Sequence, residues 1–181
     1  MARVQEAKAR VPVRMVWVQT GRARERARPA EPVQVEPAQV WAQDAVLTYI
    51  ENDESVDAAG TAERWGYLFY SASLDQSRSY SVRGGKIVVA RNLDMRFEAP
   101  PLAPGWIDSH EAVEVADRSI GAAFCKKNGG ALSTMLLMRG AFQDENPDQT
   151  TWTVIYTAPH APALFVMIDA TAGKVRRTWR G

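Results

Sequence analysis

Asp108, Ser109, His110 and Glu111 stand side by side in the stretch WIDSHEAVEVAD. Nucleophile, base and orienting acid are all present by type. A working triad gathers its members from separate parts of the chain, whereas adjacent side chains diverge. The same residues make a helix start. Asp108 or Ser109 serves as N-cap, and with Asp108 as cap Glu111 falls at the third helical position of a capping box. Ile107 precedes the cap and can pack back on the helix. A second candidate is FVMIDATAGKVRRTW, where Asp169 closes an apolar run and a Thr, a Gly and a Lys follow. A phosphate loop requires G-x-x-x-x-G-K-[ST], but here Ile168 takes the first glycine position and Val175 follows the lysine. Asp169 and Thr171 instead suit a turn, bonding local N–H groups, with Gly173 able to take the positive φ that closes it. No catalytic residue is assigned.

Metal chemistry is no better served. The chain has His110, His160 and a single cysteine, Cys125, without ligand spacing. Glu51, Asp53, Glu54 and Asp57 in IENDESVD are spaced somewhat like a calcium loop but lack its glycine and closing glutamate. They read as a solvated loop. One cysteine permits no intrachain disulfide, and its setting, IGAAFCKK, suits a buried structural thiol. No cofactor and no metal are expected.

The net charge of +1 hides an asymmetry: residues 1–30 carry +6 and the remainder −5. Arg22, Arg24, Arg26 and Arg28 form a basic arm, and Arg176, Arg177 and Arg180 cluster near residue 181. With Trp17, Trp41 and Trp179 available to stack, these arginines are the candidate contacts for nucleic acid or an anionic membrane surface. The acidic body and the lack of a nucleic-acid motif weigh against that reading. No stretch reaches the ~20 apolar residues of a membrane span. Arg14 interrupts the most apolar part of the N-terminal stretch, so no signal peptide is legible; the chain is cytoplasmic or its start is not that of the native precursor.

These residues must be positioned by a simple set of elements. VPVRMVWVQT (11–20) alternates as a short strand, and residues 21–39, with Pro29, Pro32 and Pro37, read as a linker, so residues 1–38 form a flexible basic arm. From Trp41, a stripe of Ala42, Ala45, Val46, Tyr49 and Ile50 predicts a helix. RWGYLFYSAS is a strand, and SRSYSVRGGKIVVARN is a hairpin turning at Gly84-Gly85. EAPPLAPG (98–105) separates two parts of the body. Val113, Ala116, Ile120 and Phe124 define an amphipathic helix, followed by a strand candidate at 131–142, a turn cluster at 144–149, and β-rich runs TWTVIYTA, ALFVMIDA and KVRRTWR.

The two parts, 39–104 and 105–181, follow a common order: a helix with an acid-Ala-Val triplet, a strand with an early Trp (Trp65, Trp152), then a Gly-Lys turn (Gly85-Lys86, Gly173-Lys174). From Trp to that glycine is 20 residues in the first part and 21 in the second. The sequence therefore suggests an internal duplication.

The ending TWTVIYTAPHAPALFVMIDATAGKV resembles the PepSY domain and its relatives, which close on DA-x-T-G-x-V. Here the close is IDATAGKV, which departs at one residue because Ala172 lies between Thr171 and Gly173. The resemblance covers about residues 105–181, and 40–92 loosely. It implies an α+β fold of two helix-plus-antiparallel-sheet repeats packed as one globular body. It also implies a non-catalytic, extracytoplasmic module of the bacterial envelope that binds another protein or restrains a protease. A small-ligand carrier using an open sheet face is the further alternative. The expected core is Val46, Trp65, Tyr67, Phe69, Ile87, Val113, Ala116, Ile120, Trp152, Val154, Tyr156, Phe165, Met167 and Ile168.

Overall fold

The structure, a computed structural model, describes residues 25–27, 36–94, 96–97, 99–141 and 148–181. Between its turns the chain is rich in Val, Ile, Thr, Tyr and Phe, which suit a pleated, half-buried surface. Eight runs of this kind join one antiparallel sheet. They are β2 (Val46–Asn52), β4 (Arg64–Ser71), β5 (Gln76–Arg83), β6 (Lys86–Asn92), β7 (Ala131–Arg139), β8 (Thr150–Ala158), β9 (Ala161–Asp169) and β10 (Lys174–Arg180). Their order is β10-β9-β8-β7-β2-β4-β5-β6. Two short strands, β1 (Glu25–Arg26) and β3 (Thr61–Ala62), pair apart from the sheet. The helices are α1 (Glu36–Trp41) and a longer segment made of α2 (Ser109–Ala116), a π-turn (Asp117–Gly121) and α3 (Ala122–Asn128).

This arrangement corrects the expectation of two helix-plus-sheet repeats. The sheet is continuous, and the one long helical segment packs against its β8–β10 side. The predicted helix from Trp41 to about residue 50 is instead largely strand β2. Val46, Thr48, Tyr49 and Ile50 are β-branched or aromatic, and Thr48 and Ile50 are buried with the period of a strand. Pairing on both sides settles the matter: Ile50 lies opposite Tyr67 of β4 and Leu137 of β7. The β2–β7 seam is short, with three pairs, Tyr49–Met138, Ile50–Leu137 and Glu51–Leu136. Asn52 extends it with its side chain. Its Oδ1 accepts from Met135 N–H at 2.7 Å, and its Nδ2 donates to Ser133 O at 3.3 Å and Glu54 O at 2.8 Å.

The core lies between one sheet face and the long helical segment. Cross-strand register aligns Trp65 with Val82, and Trp152 with Leu137 and Ile168. Ala112, Val113, Ala116 and Phe124 of the helices are buried with them. Trp152 meets Trp65 and Trp106 edge-on, with ring centroids 6.3 and 6.0 Å apart. Each such large side chain contributes about 1.5–3 kcal/mol by leaving water. The expected core holds in the main, with Ile120 and Phe165 only partly buried. Two residues depart from it: Val46 opens β2 and is exposed, and Ile87 lies on the outermost strand.

The strand expected at 11–20 lies outside the described residues, as does most of the turn cluster at 144–149. Within the stretch expected as linker, Ala27 and Ala38 are buried against the body. Among the described residues, no helix is long and apolar enough to cross a membrane.

Candidate functional site

The residues first singled out for chemistry are occupied with structure. Asp108 is the N-cap of α2. Its Oδ1 accepts from Glu111 N–H at 2.8 Å, and Glu111 Oε2 accepts from Asp108 N–H at 3.1 Å. Ser109 is buried and joins three segments. Its Oγ donates to Gly60 O and accepts from Ala27 N–H, while its own N–H donates to Ala27 O. Arg26 lies 3.8 Å from Asp108. His110 contacts Ala59 O through Nδ1 and Glu114 through Nε2, so it points away from any nucleophile.

Asp169 sits at the end of β9 and is nearly buried. Oδ1 accepts from Thr171 and Ala172 N–H at 3.0 and 2.9 Å; Oδ2 accepts from Gln149 Nε2 at 2.6 Å and from Arg176. Burial pushes this carboxyl up. The Ala172 and Thr171 amides and the Arg176 guanidinium outweigh it and hold the group below the usual carboxylate range. Gly173 takes φ +61° in the same turn, and Gly84 and Gly85 take φ +53° and +72° between β5 and β6. In the acidic stretch 51–57, Tyr49 donates to Glu51, Asp53 accepts from Ser81, Glu54 meets Arg64 and Arg83, and Asp57 holds the Ala59 and Thr61 amides. Among the described residues no three His, Cys, Asp or Glu side chains group to hold a metal. Cys125 is half-buried, and burial, then nearby Asp117, pushes its thiol up, away from a reactive thiolate.

The arginines divide. Arg22, Arg24 and Arg28 lie outside the described residues. Arg176 is tied to Asp169, Arg177 lies over the Trp179 ring, and Arg180 lies 4.3 Å from the Phe124 ring centroid. All three belong to β10, one edge of the sheet. With Lys174 they make that edge heavily cationic, and a register shift between Val175 and Arg177 bends it. Charge and a bulge are the usual devices that protect a sheet edge.

The opposite edge also carries charge and a bulge but differs in its exposed apolar middle. Among the described residues β6 pairs on one side only, with β5, and every one of its residues is exposed. Ile87, Val88 and Val89 stand 40%, 50% and 39% exposed. Leu93 N–H bonds back to Ser77 O on β5. Antiparallel bonding alternates, so Ala90 and Asn92 turn their N–H and C=O groups outward. A bulge falls at Val88, because Val89 faces Ser81 and Ile87 faces Val82. From sequence this strand is only a hairpin arm with Ile87 in the core, and the structure corrects that placement. The signal available was the unbroken IVVA run, which lacks the polar alternation of a strand with one wet face.

No family model matches the chain, and no curated protein matches it. A solved structure of similar fold is a candidate lipoprotein from Clostridium difficile 630. It is 10% identical, with 81% of this chain and 90% of that one covered and a TM-score of 0.51. At that identity the likeness is one of fold.

Proposed function

We propose that the protein is a non-catalytic protein-binding module of the bacterial cell envelope, which receives its partner along β6. The observation that carries this reading is the β6 edge: an apolar middle, Ile87–Ala90, between Lys86 and Arg91, exposed along its length, with backbone groups turned outward. Such an edge binds by accepting another strand, with main-chain bonds for affinity and side chains for selectivity. The non-catalytic character is supported by the Asp108–Glu111 stretch and Asp169, whose polar atoms are committed to caps and turns. The fold likeness to a candidate lipoprotein and the PepSY resemblance of IDATAGKV support the envelope setting. The rival reading, binding of nucleic acid or anionic lipid through arginines, is weakened on β10, where Arg176, Arg177 and Arg180 are engaged within the chain.

The test is in-cell crosslinking. A photoreactive side chain replaces Val88 in one variant and Arg177 in another, in the full chain. The proposal expects a discrete protein adduct at position 88 and none at 177. Adducts confined to nucleic acid or lipid, or no protein adduct at 88, refute it.

A further inference from the structure

Resting on the protein-binding reading, we infer that the β6 edge selects an extended segment with two acidic residues four positions apart and an apolar residue midway, Glu-x-Val-x-Glu in pattern. The bulge carries the argument. Lys86 pairs with Arg83, Val89 with Ser81, and Arg91 with Ser79. Residues 79, 81 and 83 of β5 alternate regularly and so share one face. Lys86, Val89 and Arg91 therefore share that face of β6, although Lys86 and Arg91 are an odd five residues apart. In a regular strand, with no bulge at Val88, two cations five residues apart would lie on opposite faces.

Lys86 and Arg91 make no ion pair among the described residues, unlike their neighbours Arg83, bound to Glu54, and Arg96, bound to Asp75. The face thus presents cation, valine, cation, beside outward backbone groups at Ala90 and Asn92. A straight incoming strand meets that face with every second residue. Its acids would oppose Lys86 and Arg91, and its central apolar residue would oppose Val89. Its intervening residues lie with Ile87 and Ala90 on the other face. A second copy of this chain fits less well, because it would add two more cations to an edge that already has two.

The test uses the purified full chain and three labelled peptides. These are Thr-Glu-Val-Val-Val-Glu-Thr, its Lys-for-Glu counterpart, and Thr-Val-Glu-Val-Glu-Val-Thr, in which the acids are two apart. Anisotropy at low salt is expected to show the first binding about tenfold tighter than the second, as two exposed ion pairs allow, and tighter than the third. The double variant Lys86→Glu/Arg91→Glu should invert the preference for the lysine peptide. Ala90→Pro should weaken every peptide; it removes an outward N–H and leaves the β5 ladder its bonds. Should Ala90→Pro not fold, the charge-reversed variant still decides. Equal affinity for the three peptides, no binding, or a preference that charge reversal leaves in place overturns the inference. A β6-dependent dimer that the first peptide does not dissociate overturns it too. Crosslinking of a protein at position 88 alongside peptide results of this kind would leave the binding reading standing while this one fails.

Discussion

Replacing Asn52 by leucine should loosen the joint between the two four-stranded halves of the sheet. The halves meet at three residue pairs, and the Asn52 side chain supplies the next bonds along the seam. Leucine has nearly the same shape and no polar atoms. Met135 is fully buried, so its N–H would lose its acceptor without access to water. An orphaned buried donor costs about 1–3 kcal/mol, and the bonds to Glu54 O and Ser133 O add about 0.5–1 kcal/mol together because those groups are partly hydrated. The expected loss is about 2–4 kcal/mol. With a urea slope of about 2 kcal/mol/M, the midpoint falls by about 1–2 M while the slope stays fixed. Native-state hydrogen exchange should show the Met135 amide losing protection ahead of those in β8. A midpoint shift under about 0.25 M, or unchanged protection at Met135, refutes the view that a side chain completes this seam.

Three further outcomes follow from particular contacts. Asp169→Asn should cost about 1–2 kcal/mol at neutral pH by removing the charge that Arg176 meets. Because the folded carboxyl titrates below its unfolded value of about 3.9, its stabilisation is complete above that pH and is lost as pH falls through the folded value. The variant should therefore converge with the parent in urea melts as pH falls below the unfolded value and through the folded one, and a constant gap across that range would contradict the assignment. Gly121→Ala would place a Cβ 2.5 Å from the Tyr156 ring end and 2.6 Å from Asp117 Oδ1, between partners that are hydrogen-bonded at 2.6 Å. A net loss of about 1–2 kcal/mol is expected in thermal melts despite alanine's helix preference; a stabilised variant would disprove the close approach. Ser109→Ala strips the Gly60 carbonyl and the Ala27 N–H of their buried partner, so trypsin should cut after Arg26 several-fold faster, with a melt lowered by about 2 kcal/mol. Unchanged cleavage would show that residues 25–27 are held by something else.

Local features of this fold were legible in the sequence and non-local ones were not. The helix around Val113 and Phe124 was readable because a capping box and a repeating apolar stripe lie within one short stretch. The hairpin at Gly84-Gly85 was readable for the same reason: both glycines take positive φ, and the flanking runs are β-prone. β2 was not. Its apolar residues fit a helical stripe as well as a strand, and the choice was made by β4 and β7, the latter more than 80 residues away. The edge position of β6 was equally hidden. The IVVA run within KIVVARN suits a buried strand and points Ile87 to the core, and only the order of strands in the finished sheet leaves it outermost. The candidate site depends on that same order, whereas the Asp, Ser and His residues that suggest chemistry in the sequence are held in caps, turns and backbone contacts.

The strand order also separates two ends of the molecule that are easily thought of as neighbours. β10, which leads to residue 181, is seven strand spacings from β6. At about 4.8 Å per spacing that is roughly 34 Å measured along the sheet. A tether, bead or fluorophore fixed at residue 181 therefore holds the molecule by one margin and leaves the β6 margin facing away from the support. Surface-immobilised measurements with that attachment should report the same affinities as free solution, whereas coupling through Lys86 would obstruct the strand being measured.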